Sequence, residues 1–188
     1  MPCNHYRIVT RWNLDATAEE IAEIASAPEE LVRWWPATFL RARRLDPHRK
    51  LGPGSEASWQ VKGWLPYTMR FRSRIDDFGY PHHCRISVSG DFEGELRCQV
   101  HCAASGSNIQ FDFNVKVNKP VVRYLSFLLK PLFCSNHIWV MVRGCQSMSA
   151  ELARRKRGCT IRIPGPPPKD AARRFQPARV KPALLLQE

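Results

Sequence analysis

Apolar and polar side chains alternate along His5 to Leu14. Tyr6, Ile8, Thr10 and Trp12 fall on one face, and Arg7, Val9 and Arg11 on the other. A period of two over this length predicts a half-buried strand. Thr17 and Glu20 follow at the spacing of a capping box, and Ile21 and Ile24 give the short helix behind it an apolar stripe. Pro28 breaks that helix and suits the first position of the next, Glu29 to Trp35, which Pro36 ends.

The period then returns to two. Strands are predicted at Thr38 to Leu45, Ser55 to Lys62, Tyr67 to Ile75, Cys84 to Ser89, Glu95 to Ala103 and Asn108 to Val117. In the clearest of them Tyr67, Met69, Phe71 and Ile75 oppose Thr68, Arg70, Arg72 and Arg74. The last sets Ile109, Phe111, Phe113, Val115 and Val117 against Gln110, Asp112, Asn114 and Lys116. Pro47 to Gly54 and the run Gly90-Asp91-Phe92-Glu93-Gly94 read as turns. Together with the first, these make seven strands of an antiparallel meander with one wet face.

Beyond the strands the period is helical. Pro120 can start a helix that Pro131 interrupts, and Ser135 or Asn136 can cap a second. Ile138, Met141, Val142, Cys145, Met148 and Leu152 then form one face of a helix about six turns long. Gly144 inside it costs about 1 kcal/mol of helix propensity, which a close approach to a strand would explain. From Gly158 the pattern stops, and Pro164-Gly165-Pro166-Pro167-Pro168 excludes helix and central strand. The expected organisation is a domain over 1–157 and a basic, Pro-rich, disordered tail over 158–188.

A sheet with one apolar face needs a cover. A last helix about 34 Å long can lie across it. The expected fold is therefore α+β, a strongly curved antiparallel sheet wrapped around one long helix, with two short helices after the first strand. The inward set is rich in aromatics and methionine: Trp12, Trp59, Tyr67, Met69, Phe71, Phe111, Phe113, Met141 and Met148. Such walls describe either a small-molecule pocket or an ordinary filled core, and the pattern leaves both open.

The same order of elements resembles the helix-grip fold of the SRPBCC superfamily, which includes START lipid-transfer domains, pollen-allergen-like plant proteins and polyketide cyclase/dehydrases. It is closest to a bacterial subgroup of that superfamily. The segments that carry the resemblance are Trp34-Trp35-Pro36, Gly63-Trp64-Leu65-Pro66-Tyr67, Gly90-Asp91-Phe92-Glu93-Gly94, Lys119-Pro120 with Arg123-Tyr124-Leu125, and Asn136-His137 with Trp139 and Met141. They span roughly Tyr6 to Arg155. The resemblance implies a cavity between sheet and helix. It does not imply one catalytic constellation, because the superfamily shares the cavity and not the chemistry.

Composition changes this picture little. The chain has 188 residues, 44% of them hydrophobic and 24% charged, which is ordinary for a globular protein. No apolar run reaches the length of a membrane span. Met1 to Asp15 does not read as a signal peptide, so the cytosol is the expected compartment. The net charge of +12 is uneven, since ten Lys/Arg and only two acids lie from Arg154 onward. The tail's clusters lack the interleaved aromatics of a base-stacking platform, so no nucleic acid partner is expected. Exposed Trp64 and Leu65, or the apolar run Val121 to Phe133, could touch a membrane surface.

No nucleophile elbow, phosphate loop or zinc-protease motif is present, and no cofactor is called for. The catalytic candidates are scattered: Tyr67, whose hydroxyl could reach a ligand carbonyl; Asp91, in a turn where Asp commonly bonds backbone; and His137, a possible acid or base near neutral pH. Arg123 and Asn136 belong to the same set. Ligand-lining candidates are Trp59, Tyr67, Met69, Phe71, Phe111, Phe113 and Met141. His82, Cys84, Cys98 and Cys102 would share a hairpin face in one register, but their spacing fits no metal site and none is expected. The leading expectation is a binding protein for a hydrophobic small molecule or lipid. The rivals are a polyketide cyclase/dehydratase-type enzyme and an interaction protein with a filled core.

Overall fold

The computed structural model describes residues 5–118 and 120–157, with 120–130 as backbone alone. The expectations for the 158–188 tail and for the Arg123 side chain lie outside the described residues. β1 (His5–Leu14) leads into α1 (Ala18–Ala25) and α2 (Pro28–Trp34). Six strands follow: β2 (Phe39–Arg44), β3 (Glu56–Lys62), β4 (Thr68–Gly79), β5 (His83–Gly90), β6 (Phe92–Ala103) and β7 (Gly106–Val117). α3 (Pro120–Arg157) completes the order.

The strands form one antiparallel sheet in the order β1-β7-β6-β5-β4-β3-β2. The two short helices carry the chain from the β1 edge to the β2 edge. α1 opens as its sequence predicts, with Thr17 and Glu20 exchanging both capping-box bonds. Pro28 starts α2. β1 lies against β7 in unbroken register, from Tyr6 opposite Val115 to Trp12 opposite Ile109. The five-residue turn expected at Gly90 to Gly94 contracts to Asp91 alone, because β5 runs to Gly90 and β6 starts at Phe92. The Asp91 carboxylate accepts the Arg70 backbone N–H at 2.8 Å, and its own N–H bonds the Arg70 carbonyl. These bonds hold β4 beside the bend.

The helical end differs from expectation. In place of two helices broken at Pro131, α3 is a single helix of 38 residues, about 57 Å long, with Pro131 inside it. A proline removes one backbone bond and crowds the preceding turn, whereas ending the helix there would orphan several carbonyls and N–H groups. Asn136 is not a cap. Its side-chain oxygen accepts the Leu65 N–H at 3.2 Å and ties the β3–β4 loop to α3. Gly63 is needed at that contact, since a Cβ there would lie 2.1 Å from the Asn136 oxygen. The loop that carries Trp64 and Leu65 is therefore folded inward. Leu65 is buried, and Trp64 packs against the main core.

That core lies between β1, α1, α2 and the second half of α3. Trp12, Ile21, Ile24, Trp34, Trp35, Ile109, Met141, Met148 and Leu152 are its buried members. Gly144 is the seat of α3. A Cβ on it would stand 2.2 Å from the Trp35 ring and 2.7 Å from that of Trp12. The close approach is thus to two indole rings, one from a strand and one from the end of α2. One turn beyond Met148, the fully buried Glu151 receives the Arg33 guanidinium through two bonds, at 2.7 and 3.1 Å. Arg154 and Arg155 of its own helix complete the cluster. Hydrogen bonds from these arginines hold the Glu151 carboxyl far below its ordinary value of 4.5.

Two outcomes test this anchoring. Gly144→Ala, favourable in an isolated helix, should destabilise the protein by about 1–3 kcal/mol through overpacking, read as a lower thermal midpoint. Glu151→Gln should cost about 1–3 kcal/mol at neutral pH, because a buried carboxylate loses its charge-assisted bonds to arginines that are themselves partly exposed. Because the folded carboxyl titrates below the unfolded one, the stabilisation is complete above pH 4.5 and is lost as pH falls further. The gap between parent and variant midpoints should therefore close in acid.

Candidate functional site

Following the register across the sheet from Tyr6 and Trp12, one face carries Val115, Phe113, Phe111 and Ile109 on β7. The same face carries Phe92, Leu96, Cys98 and Val100 on β6, then Cys84, Ile86 and Val88 on β5. Phe71 and Ile75 on β4, Trp59 on β3 and Ala42 on β2 continue it. This is the face turned to α3. It is not uniformly covered. Beside the main core a second, smaller one gathers Tyr6, Ile8 and Val117, with Tyr67, Met69, Phe92, Phe133 and Cys134 packed around it. Phe113 touches both. Between the two, Phe71, Ile75, Ile86 and Leu96 are only half-buried although they face the helix side.

A run of ring contacts frames this region. Phe92 meets Phe71 at 4.5 Å between centroids, Phe71 stacks on Trp59 at 6.1 Å, and Trp59 meets Phe39 at 5.4 Å. The series continues through Trp35, Trp12, Phe111 and Phe113 to the His137 imidazole, which lies 4.6 Å from the Phe113 ring. The Trp59 indole donates to the Ser73 hydroxyl at 2.7 Å, whereas the buried indole N–H groups of Trp12 and Trp35 find no hydrogen-bond acceptor among the described residues. Rings bridging strand to strand hold their neighbours in fixed edge-on or stacked geometry.

The residues singled out from the sequence are distributed unevenly. Phe111, Phe113 and Met141 lie in or against the main core, whereas Tyr67 and Met69 border the smaller one. Trp59 and Phe71 stand side by side in the ring series. Tyr67 precedes β4 and sits edge-on to Phe133 at 6.3 Å. Burial, with Tyr6 nearby, pushes its hydroxyl up to about 12, so it is protonated at neutral pH. Asp91 is engaged with the β4 backbone. His137 lies well inside α3 rather than in a first turn. Its Nε2 is buried without a hydrogen-bond partner among the described residues, and burial draws its pKa down to about 4.

Cys84 stands opposite Cys98 on this face, and burial pushes their thiols up to about 11 and about 12. They are neutral, and neither is a ready nucleophile or ligand. His82 and Cys102 are exposed, and among the described residues no three His, Cys, Asp or Glu side chains gather as metal ligands. The sequence pattern does not mark Phe92 as inward-facing, because it sits in what reads as a turn. The Arg33–Glu151 pair joins positions 118 residues apart and carries no local signal.

No family model matches the sequence, and comparison with curated proteins finds no match. Solved structures do match the fold. A protein from Thermus thermophilus aligns at a TM-score of 0.59 with 15% identity, over 82% of this chain and 97% of its own. A Thalictrum flavum norcoclaurine synthase aligns at 0.56 with 14% identity, over 81% of this chain and 96% of its own. The protein Ara h 8.0201 aligns at 0.51 with 12% identity, over 79% and 98%. These likenesses establish the helix-grip fold that the sequence resembles. No helix among the described residues is long and apolar enough to cross a membrane.

The buried imidazole supplies a test. A histidine whose folded pKa lies below its unfolded value contributes stability that is complete above about pH 6.5 and falls away toward pH 4. The ring protons of His137 should keep neutral-imidazole NMR shifts at pH 5.5. A His137 signal that titrates near 6.5 would show that the ring is open to water.

Proposed function

We propose that this protein binds a hydrophobic small molecule or lipid between the sheet and α3. The observation that carries this reading is the incompletely covered inner face. Phe71, Ile75, Ile86 and Leu96 point toward the helix and remain half-buried, framed by aromatic side chains. Apolar surface left reachable inside a domain that covers the rest of its core marks a place for a ligand. Trp59, Tyr67, Met69, Phe71, Phe111, Phe113 and Met141 are the residues we assign to the surrounding wall. The norcoclaurine synthase with this fold was solved in complex with a transition state analogue, which supports small-molecule binding as the reading.

A second reading, an enzyme of cyclase or dehydratase type, draws on one specific observation. The neutral His137 imidazole presents an unpartnered Nε2 beside Phe113. In a binding protein that nitrogen would bond a carbonyl or hydroxyl of the ligand. In an enzyme it would move a proton there. His137→Gln separates the two, because amide substitution preserves hydrogen bonding but not proton transfer.

The test is titration with a naturally fluorescent polyene fatty acid. Binding at micromolar or better affinity is expected. Phe71→Ala should weaken it about tenfold, given the apolar area that ring contributes, while the thermal midpoint moves little because Phe71 is already half-exposed. Absence of binding, or equal binding by the variant, would overturn this reading and favour the interaction protein with a filled core.

A further inference from the structure

The opposite face of the sheet holds a second concavity. β2, β3, β4 and β5 present Arg41 and Arg43, Ser58 and Gln60, Arg70 and Arg72, and Ser89 there, and a trough of about 570 Å³ lies among them. The register sets these residues in two rows. Arg41, Gln60 and Arg70 form one, and Arg43, Ser58, Arg72 and Ser89 form the other. Ala42, Trp59, Phe71 and Gly90, which lie between the rows along their strands, complete the lining. Rows two residues apart are separated by about 7 Å, and arginines on alternate strands by about 10 Å. Four guanidinium stems thus stand at the corners of a small rectangle, with short hydroxyl and amide side chains between.

All four arginines are exposed, and none has an acidic partner among the described residues. Arg74 and Arg85, on the same face outside the trough, also lack an acidic partner among the described residues, whereas Arg33, Arg97, Arg154 and Arg155 are each paired with a glutamate. Charge on edge strand β2 guards an open edge against pairing with another chain. That reason does not extend to Arg70 and Arg72, because β4 is an interior strand. A shift in register between Phe39 and Arg41 keeps Phe39 and Ala42 on the inner face while Arg41 and Arg43 turn outward. Like charges this close repel one another, and a multivalent anion would relieve that repulsion.

We propose that this trough binds a compact polyanion that carries two or more phosphate groups, as a lipid headgroup or as a soluble phosphate ester. Arginine suits the task, since its planar fork bonds phosphate oxygens in pairs and keeps its charge at any physiological pH. Gln60 and Ser89 supply neutral donors between the corners, while the Ser58 hydroxyl donates to the Arg43 carbonyl. No aromatic side chain stands on this face of the trough, so nothing in it would stack a base. The site is independent of the hydrophobic one, because alternate residues of the same strands build the two.

The experiment uses myo-inositol hexakisphosphate in calorimetry, and vesicles of phosphatidylcholine with and without phosphatidylinositol bisphosphate in sedimentation. The test variant is Arg41→Gln with Arg72→Gln, which removes one arginine from each row. The control is Arg7→Gln with Arg11→Gln, an equal charge change on the same face near the other edge. Binding that the trough variant weakens at least about tenfold, and the control leaves nearly intact, is expected. Loss of the soluble phosphate alone would identify a soluble ester, and loss of bisphosphate-vesicle binding would identify a headgroup. Failure of both probes to bind, or equal weakening by the control, would overturn the proposal. Thermal midpoints of both variants should match the parent, which separates loss of the site from loss of the fold.

Discussion

Everything about the inner face follows from where α3 is held. The helix rests on two indole rings at Gly144, and the Arg33–Glu151 pair locks its next turns to α2. Both contacts lie in its second half. An indole contact this close admits no side chain larger than hydrogen, and a buried carboxylate tolerates no position out of reach of its guanidinium. The position of α3 is therefore set at one end of the sheet, against β1, α1 and α2. The strands at the middle of the sheet are left without the same cover.

The consequence is two apolar clusters in place of one continuous core. Phe113 joins them, and the half-buried inner positions of β4, β5 and β6 lie between. Asn136 strengthens the arrangement from the other side. By accepting the Leu65 N–H, it folds the β3–β4 loop inward and brings Tyr67 against Phe133. The proposed ligand would occupy space that the anchoring of the helix leaves over. Its polar handle would be His137, a buried imidazole whose Nε2 has no hydrogen-bond partner among the described residues.

The two faces of β3 and β4 serve opposite chemistries by the period of the strand alone. Trp59 and Phe71 project inward, and Ser58, Gln60, Arg70 and Arg72 project outward from the same residues' neighbours. An apolar inner face and a cationic outer face therefore lie back to back on the same strands, each built by its own residues.

Period and capping were decisive for the parts of the fold that local chemistry governs. The seven strands, the inward aromatic set, the capping box at Thr17 and the start of α2 at Pro28 all express interactions within a few residues of chain. The continuity of α3 through Pro131 is not of this kind. Local propensity argues for a break there, and the cost of a proline is outweighed only when the rest of the helix has something to lie on. The same holds for Asn136, whose side chain reads as a cap and instead bonds a loop 71 residues away. The partner of Glu151, the rings beneath Gly144, the lowered pKa of His137 and the meeting of Arg41 and Arg43 with Arg70 and Arg72 were likewise decided by tertiary structure. Each depends on which distant strand or helix arrives beside the residue, and no spacing along the chain encodes that.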